Sequence, residues 1–118
     1  MDQNGQKKTT LGLDENIAGL LCYIFGWITG LIFLLVEKES RFVKFHAMQS
    51  LITFLFLTIL YYIVGFIPLV GWLIAILIWP LELVLWIVLM VKAYKGEMLK
   101  LPVVGEIAEQ QVNKMMGV

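Results

Sequence analysis

The sequence predicts an all-α membrane bundle, and three observations carry that prediction. First, three apolar runs, Ile17–Val36, Leu51–Val70 and Trp72–Val91, dominate the 118 residues. Each matches the ~20 residues that a helix rising ~1.5 Å per residue needs to cross a hydrocarbon core ~30 Å thick. Second, 60% of the chain is hydrophobic and its mean hydropathy is +0.87, against ~45–50% apolar residues in a soluble domain. Third, the first two runs carry no charge, and the third carries only Glu82. Lipid is the solvent for this fold, and three transmembrane helices are expected.

The elements follow in order. Residues 1–13 read as a flexible N-terminal segment, 14–96 as the transmembrane domain, and 97–118 as an amphipathic tail. Asp14 can cap the first helix, its carboxylate accepting free backbone N–H groups. Asp14 and Glu15 precede the run, which exceeds the ~7–15 residues of a signal core and has no small-x-small site, so this helix is expected to stay in the mature protein. It stops in Glu37, Lys38, Glu39 and Ser40. From Arg41 to Ser50, charge mixes with aromatics: Phe42, Phe45 and Gln49 fall near one helical face, with Arg41, Lys44 and His46 beside them. An interfacial helix fits, its aromatics among lipid headgroups and its bases toward water.

The connection from Gly65 to Gly71 holds no polar side chain, yet its glycines and Pro68 break the helix. Exposed backbone cannot stay unsatisfied in lipid, so this turn must be very tight, interfacial or covered. Lys92 and Lys95 mark the next interface, and Gly96 is a stop. Pro102 keeps the following stretch extended. Glu106–Met115 then reads as a short amphipathic helix, with Ala108, Val112 and Met115 or Met116 on its apolar side.

Lys and Arg set the orientation. With three spans, Lys38, Arg41, Lys44, Lys92, Lys95, Lys100 and Lys114 share one side, and only Lys7 and Lys8 lie opposite. The positive-inside rule then puts the first loop and C-terminus in the cytoplasm and the N-terminus outside. A rival reading breaks the first run at Gly26–Gly30 into a re-entrant pair of half-helices, which gathers every base on the cytoplasmic side. The single span is the expectation adopted, because helix propensity in lipid should outweigh two glycines.

Two features stand out inside the spans. Ala18, Cys22, Gly26 and Gly30 recur every four residues and end in a GxxxG, a spacing that lets another helix approach closely. The approaching helix can belong to this chain or to a second copy. Glu82 lies at the middle of the third run, where an ionised carboxylate costs at least ~2.5–3.5 kcal/mol. Trp79 and Trp86 flank it on the same face as donors, Thr29, Thr53 and Thr58 lie at similar depth, and Pro80 frees the carbonyl of Ile76. A neutral, hydrogen-bonded carboxylic acid is one reading of Glu82, and proton or cation handling is the other.

Other chemistry finds little support. His46 is the single histidine and has no metal-ligand spacing around it; with Gln49 and Ser50 it reads as a hydrogen-bonded cluster. Hydrolase, phosphate-loop and zinc-protease patterns do not occur, so no enzyme and no cofactor are expected. Nine bases balance nine acids, which leaves no basic excess for nucleic acid. Cys22 is the single cysteine, so no internal disulfide can form.

Several stretches together resemble a known group. They are residues 15–23 (ENIAGLLCY), 26–30 (GWITG), 37–39 (EKE), 41–50 (RFVKFHAMQS), 65–68 (GFIP) and 100–109 (KLPVVGEIAE). They resemble small prokaryotic membrane proteins of unknown function that are similar to the Tic-twenty-like family, whose chloroplast member belongs to the inner-envelope import machinery. Residues 42–50 carry the most specific part. The resemblance implies a helical bundle in a prokaryotic cytoplasmic membrane with a translocation- or assembly-related role, and brings no catalytic residues. Its chloroplast members have four predicted helices, against apolar length for three here.

The functional expectation is a non-enzymatic interaction or assembly protein whose partners are the bilayer and either further copies or a larger membrane protein. The alternative is a small oligomeric channel or proton-coupled transporter centred on Glu82.

Overall fold

The computed structural model describes residues 9–116, and these form helices without strands. The helices are α1 (Glu15–Ile24), α2 (Trp27–Val36), α3 (Arg41–Gly65), α4 (Gly71–Tyr94) and α5 (Val104–Met116). Only α3 and α4 are long and apolar enough to cross a membrane. The expectation of three spans is overturned at the first run, which is two helices of 10 residues each. At ~1.5 Å per residue each is about 15 Å long, half of a hydrocarbon core.

The break falls at Phe25 and Gly26. Gly26 adopts φ +62, ψ −134, a conformation that side chains with a Cβ avoid. Helix propensity should have disfavoured this break, because it frees backbone groups where water is scarce. Side chains meet that cost. The Thr29 hydroxyl donates to Cys22 O (3.2 Å) and accepts from Phe25 N–H (3.3 Å). Ser50 donates to Gly26 O at 2.9 Å, and the Trp86 indole donates to Tyr23 O. With those groups satisfied, α1 and α2 fold back into a hairpin.

The open end of that hairpin is tied shut. Thr10 N–H and its hydroxyl reach the Glu37 carboxylate at 2.9 to 3.1 Å, and Ser40 donates to Glu15. The start of α1 and the end of α2 therefore share one end of the molecule. α2 packs mainly on α3, and α1 packs on both α3 and α4. Because the hairpin has half the length of a span, it covers only the half of α3 and α4 nearest that end. Burial follows: α3 is buried from Val43 to Ser50 and at Thr53 and Phe54, then largely exposed toward Tyr62.

Arg41–Ser50 is not a separate interfacial helix, because it forms the first turns of α3. Ser40 caps that helix, its hydroxyl accepting from Val43 N–H at 3.2 Å, and nothing between Ser50 and Leu51 breaks the run. The turn between α3 and α4 is tight. Ile67 N–H reaches Val64 O at 3.0 Å, Val70 N–H reaches Pro68 O at 2.8 Å, and Gly71 N–H reaches Ile67 O at 3.0 Å. α5 lies on α3 and buries Gly105, Ala108 and Val112, with Met115 exposed and Met116 packed on the core.

The row of small residues does not form one helical face, since Gly26 is the corner itself. Ala18 and Cys22 are buried on α1, and Gly30 is buried on α2. A Cβ at Gly30 would lie 2.9 Å from Ala47 O and 3.0 Å from Leu51 N, backbone atoms that cannot yield locally. Gly30→Ala should therefore cost ~1–3 kcal/mol and lower the thermal midpoint in detergent, and Gly30→Leu should cost more. Gly65→Ala, whose Cβ would meet nothing within 4 Å, should leave the midpoint nearly unchanged. Equal melting of the Gly30 and Gly65 variants would contradict the close α2–α3 approach.

Candidate functional site

Polar side chains concentrate in three places: a buried network in the half of the molecule that carries the charges, a carboxylate clasp beside it, and a notch at the hairpin tip. The network starts from α3, whose helical spacing puts His46 and Gln49 on the side facing α1 and the 97–101 segment. His46 Nε2 lies 3.0 Å from Glu97 O, and a carbonyl only accepts, so Nε2 carries the proton. Its Nδ1 is then an acceptor, and the Tyr23 hydroxyl donates to it at 2.7 Å. Gln49 Nε2 donates to the Tyr23 oxygen (3.0 Å) and to Leu99 O (2.8 Å), while Leu101 N–H donates to Gln49 Oε1 at 3.0 Å. Tyr23, Phe42 and Phe45 present their rings at steep angles to the imidazole, with centroids 4.6 to 5.5 Å away. The network closes with a neutral imidazole and every polar atom of Tyr23, His46 and the Gln49 amide oxygen engaged.

The residues expected among lipid headgroups are thus largely inside the protein. Phe45 is 1% exposed, and His46 and Gln49 are fully buried. Lys44 is buried and Phe42 half-buried against the core. Arg41 remains at the surface, where its Nε donates to Asn113 at 2.9 Å and its guanidinium lies 3.6 Å from Glu109. Lys100 bonds the same Glu109 carboxylate and holds it below the usual carboxylate range. Arg41 and Lys100 thus dock α5.

Glu37, which sequence reasoning treated only as a helix stop, is 1% exposed. Burial alone would raise its carboxyl, but N–H groups of Ser40 (2.8 Å), Glu39 (3.0 Å) and Thr10, with the Thr10 hydroxyl, outweigh that and hold it below its ordinary value. Tyr23 was likewise not singled out. No spacing rule marks either residue, because Thr10 lies 27 positions from Glu37, and His46 and Gln49 lie 23 and 26 positions from Tyr23.

Glu82 is half-buried at the hairpin tip. It opens on a notch of about 310 Å³ lined by Gly26, Phe54, Trp79, Leu83 and Trp86. Three of the partners available by depth are committed elsewhere, and the Thr53 hydroxyl is buried without a hydrogen-bond partner among the described residues. Trp86 serves Tyr23 O, Thr29 stitches the corner, and Thr58 donates to Phe54 O at 2.7 Å. Among the described residues the Glu82 carboxyl has no hydrogen-bond partner, and neither does the Trp79 indole. Nor do three or more metal-ligating side chains come together among those residues.

Residues 8–108 match the MamF/MmsF family, described as the magnetosome magnetite crystal formation protein family. A UPF0132 membrane protein of Methanocaldococcus jannaschii is 60% identical over 103 residues, covering 87% of this chain and 93% of that protein. A second from the same organism is 53% identical over 106 residues, covering 90% of this chain and 76% of its own length. One from Archaeoglobus fulgidus is 52% identical over 100 residues, covering 85% and 97%. No solved structure matches. The chain belongs to the MamF/MmsF family, and its archaeal relatives carry the name of membrane proteins, as two apolar helices fit. The Tic-twenty-like resemblance is corrected by these matches, which point to a different family.

The clasp and the network each predict an outcome. Glu37 has a lowered value in the folded protein, so its stabilisation is complete above about 4.5, the ordinary carboxyl value, and is lost as pH falls through the lower folded value. Protection of the Thr10, Glu39 and Ser40 amides against hydrogen exchange should collapse in that acid range. Glu37→Gln should remove most of it at every pH. Gln49→Leu strands Leu99 O and Leu101 N–H, at ~1–3 kcal/mol, and should make the 97–116 tail the first site of limited proteolysis. Unchanged cleavage would refute the anchoring role of Gln49.

Proposed function

We propose that this chain is a non-enzymatic membrane protein that works by assembling with other membrane-embedded protein. The observation that supports this most is the unequal depth of its elements. α1 and α2 fill only one half of the bilayer, so the α3–α4 hairpin continues through the other half without packing from the rest of the chain. At the step between the halves is Glu82, which the described residues leave without a hydrogen-bond partner. Hydrocarbon offers neither donors nor acceptors, whereas another protein offers both. A non-enzymatic reading agrees with the polar network, where His46, Tyr23 and Gln49 are committed to one another and to tail backbone. The description of the family concerns magnetite crystal formation; nothing in the described residues gathers ligands for iron, and the reading rests on bilayer contacts instead.

The charged end belongs in the cytoplasm. With α1 and α2 forming a hairpin, the described N-terminal segment lies at the same end as the first loop and α5. Lys38, Arg41, Lys44, Lys92, Lys95, Lys100 and Lys114 all lie there, and the α3–α4 turn at the other end has none, the asymmetry that the positive-inside rule reads. Cysteines at Leu11, Lys38 or Gln111, in a Cys22→Ser background, should resist a membrane-impermeant thiol reagent in intact cells. A cysteine at Phe66 should be labelled. Labelling at Leu11 from outside would contradict the hairpin topology.

A second reading has one observation in its favour. A half-depth hairpin whose broken tip meets an intramembrane carboxyl is the geometry in which transporters place ion sites. Proteoliposomes holding the purified protein decide it. The assembly reading expects no proton flux above empty vesicles, and flux that disappears in Glu82→Gln would replace it with the proton-coupled reading.

A further inference from the structure

α4 carries a seam that its own chain covers only in part. Trp72, Trp79 and Trp86 recur every seven residues, with Ala75 and Glu82 between them, the period of a helix packed along its length against another helix. α4 is 24 residues long, about 36 Å, but α1 is 10 residues and reaches only the inner half. Trp86 is therefore engaged by the hairpin, through its bond to Tyr23 O. Beyond the tip the seam is open. Trp72 is 63% and Trp79 60% exposed. They border a groove of about 680 Å³ between the outer halves of α3 and α4, whose walls are lowered by Gly65 and Ala75. Trp79 also borders the Glu82 notch, so the groove and notch meet.

The open half of the seam holds a donor and an acceptor three residues apart, the Trp79 indole N–H and the Glu82 carboxyl, neither partnered among the described residues. Glu82 lies about 17 Å from either end of α4, too deep for its short side chain to reach water. Resting on the assembly reading above, we propose that the partner is a second copy of this chain. The two copies pack α4 against α4 about a two-fold axis along the membrane normal, and each Trp79 indole donates to the Glu82 carboxyl of the other copy. A two-fold contact is self-complementary by symmetry, so a surface that presents both halves of one hydrogen bond satisfies both in a single step. The small residues beside the seam let the backbones approach closely enough for it.

Resonance energy transfer between full-length copies labelled at a cysteine replacing Lys114, in a Cys22→Ser background and reconstituted in neutral phospholipid vesicles, tests this. Transfer should saturate as for a dimer as the protein-to-lipid ratio rises. Trp79→Phe keeps the ring and removes the donor, and should weaken association about tenfold; Glu82→Leu should do the same, while Glu82→Gln retains an acceptor and pairs like the wild type. Leu81→Ala, on the opposite face of α4, should change nothing. Helicity by circular dichroism checks that each variant folds. A cysteine replacing Leu83, beside the notch, should form a disulfide-linked dimer on mild oxidation, and one replacing Leu81 should not. Transfer no greater than random proximity, or Trp79→Phe pairing like the wild type, overturns the proposal. If purified protein is monomeric while native membranes hold it in a larger complex that Glu82→Leu dissolves, the self-pairing fails and the assembly reading stands.

Discussion

Backbone that leaves a helix inside a bilayer must find hydrogen bonds at once, and the corner at Phe25–Gly26 meets that requirement with side chains from three elements. Thr29 on α2, Ser50 on α3 and Trp86 on α4 bond the carbonyls of Cys22, Gly26 and Tyr23. Each neutral hydrogen bond adds only ~0.5–1.5 kcal/mol net, but leaving its buried partner unmade costs ~1–3 kcal/mol. The corner is thus held by what its loss would strand. Everything in the topology depends on it: two spans rather than three, both termini of the described chain at one end, and a bundle full at one depth and sparse at the other.

The charged end is built by the same logic in a different medium. A neutral His46 and Gln49 fix the 97–101 segment, that segment leads α5 back onto α3, and Arg41, Lys100 and Glu109 hold α5 against it. Glu37 closes the hairpin beside this network. Fully satisfied polar networks specify a single arrangement because their partly satisfied alternatives are costly. The apolar spans, by contrast, supply little orientation of their own, since lipid is as good a neighbour for leucine as another helix is. Specificity in this small protein therefore resides in a few polar side chains, and the apolar majority sets only depth.

That division bears on function. At the end of the molecule that holds the hairpin, helices cover one another and most polar groups are paired, the buried Thr53 hydroxyl excepted. In the other half, α3 and α4 stand with a groove between them, and Glu82 marks the boundary. Membership of the MamF/MmsF family and the likeness to archaeal UPF0132 membrane proteins agree with a membrane protein. The groove and the carboxyl mark surface that the rest of the described chain leaves uncovered.

Sequence alone settled the solvent and the helical class, because 60% hydrophobic residues and the lengths of the apolar runs are properties that no tertiary contact can alter. It also marked the ends of α2 and α4, where charge or glycine follows an apolar stretch, and the buried face of α5 at Ala108 and Val112. The path of the first run was beyond it. Ile17–Val36 has the length and hydropathy of a span, and the groups that make a corner affordable at Gly26 come from Ser50 and Trp86, far along the chain. The same holds for Phe42, Phe45, His46 and Gln49. Their amphipathic spacing is real, but spacing shows that a face exists and not whether lipid or protein covers it. Tertiary structure decided that, because hydrogen-bond partners such as Tyr23, Glu97 and Leu99 become neighbours only when the hairpin and the tail close on α3.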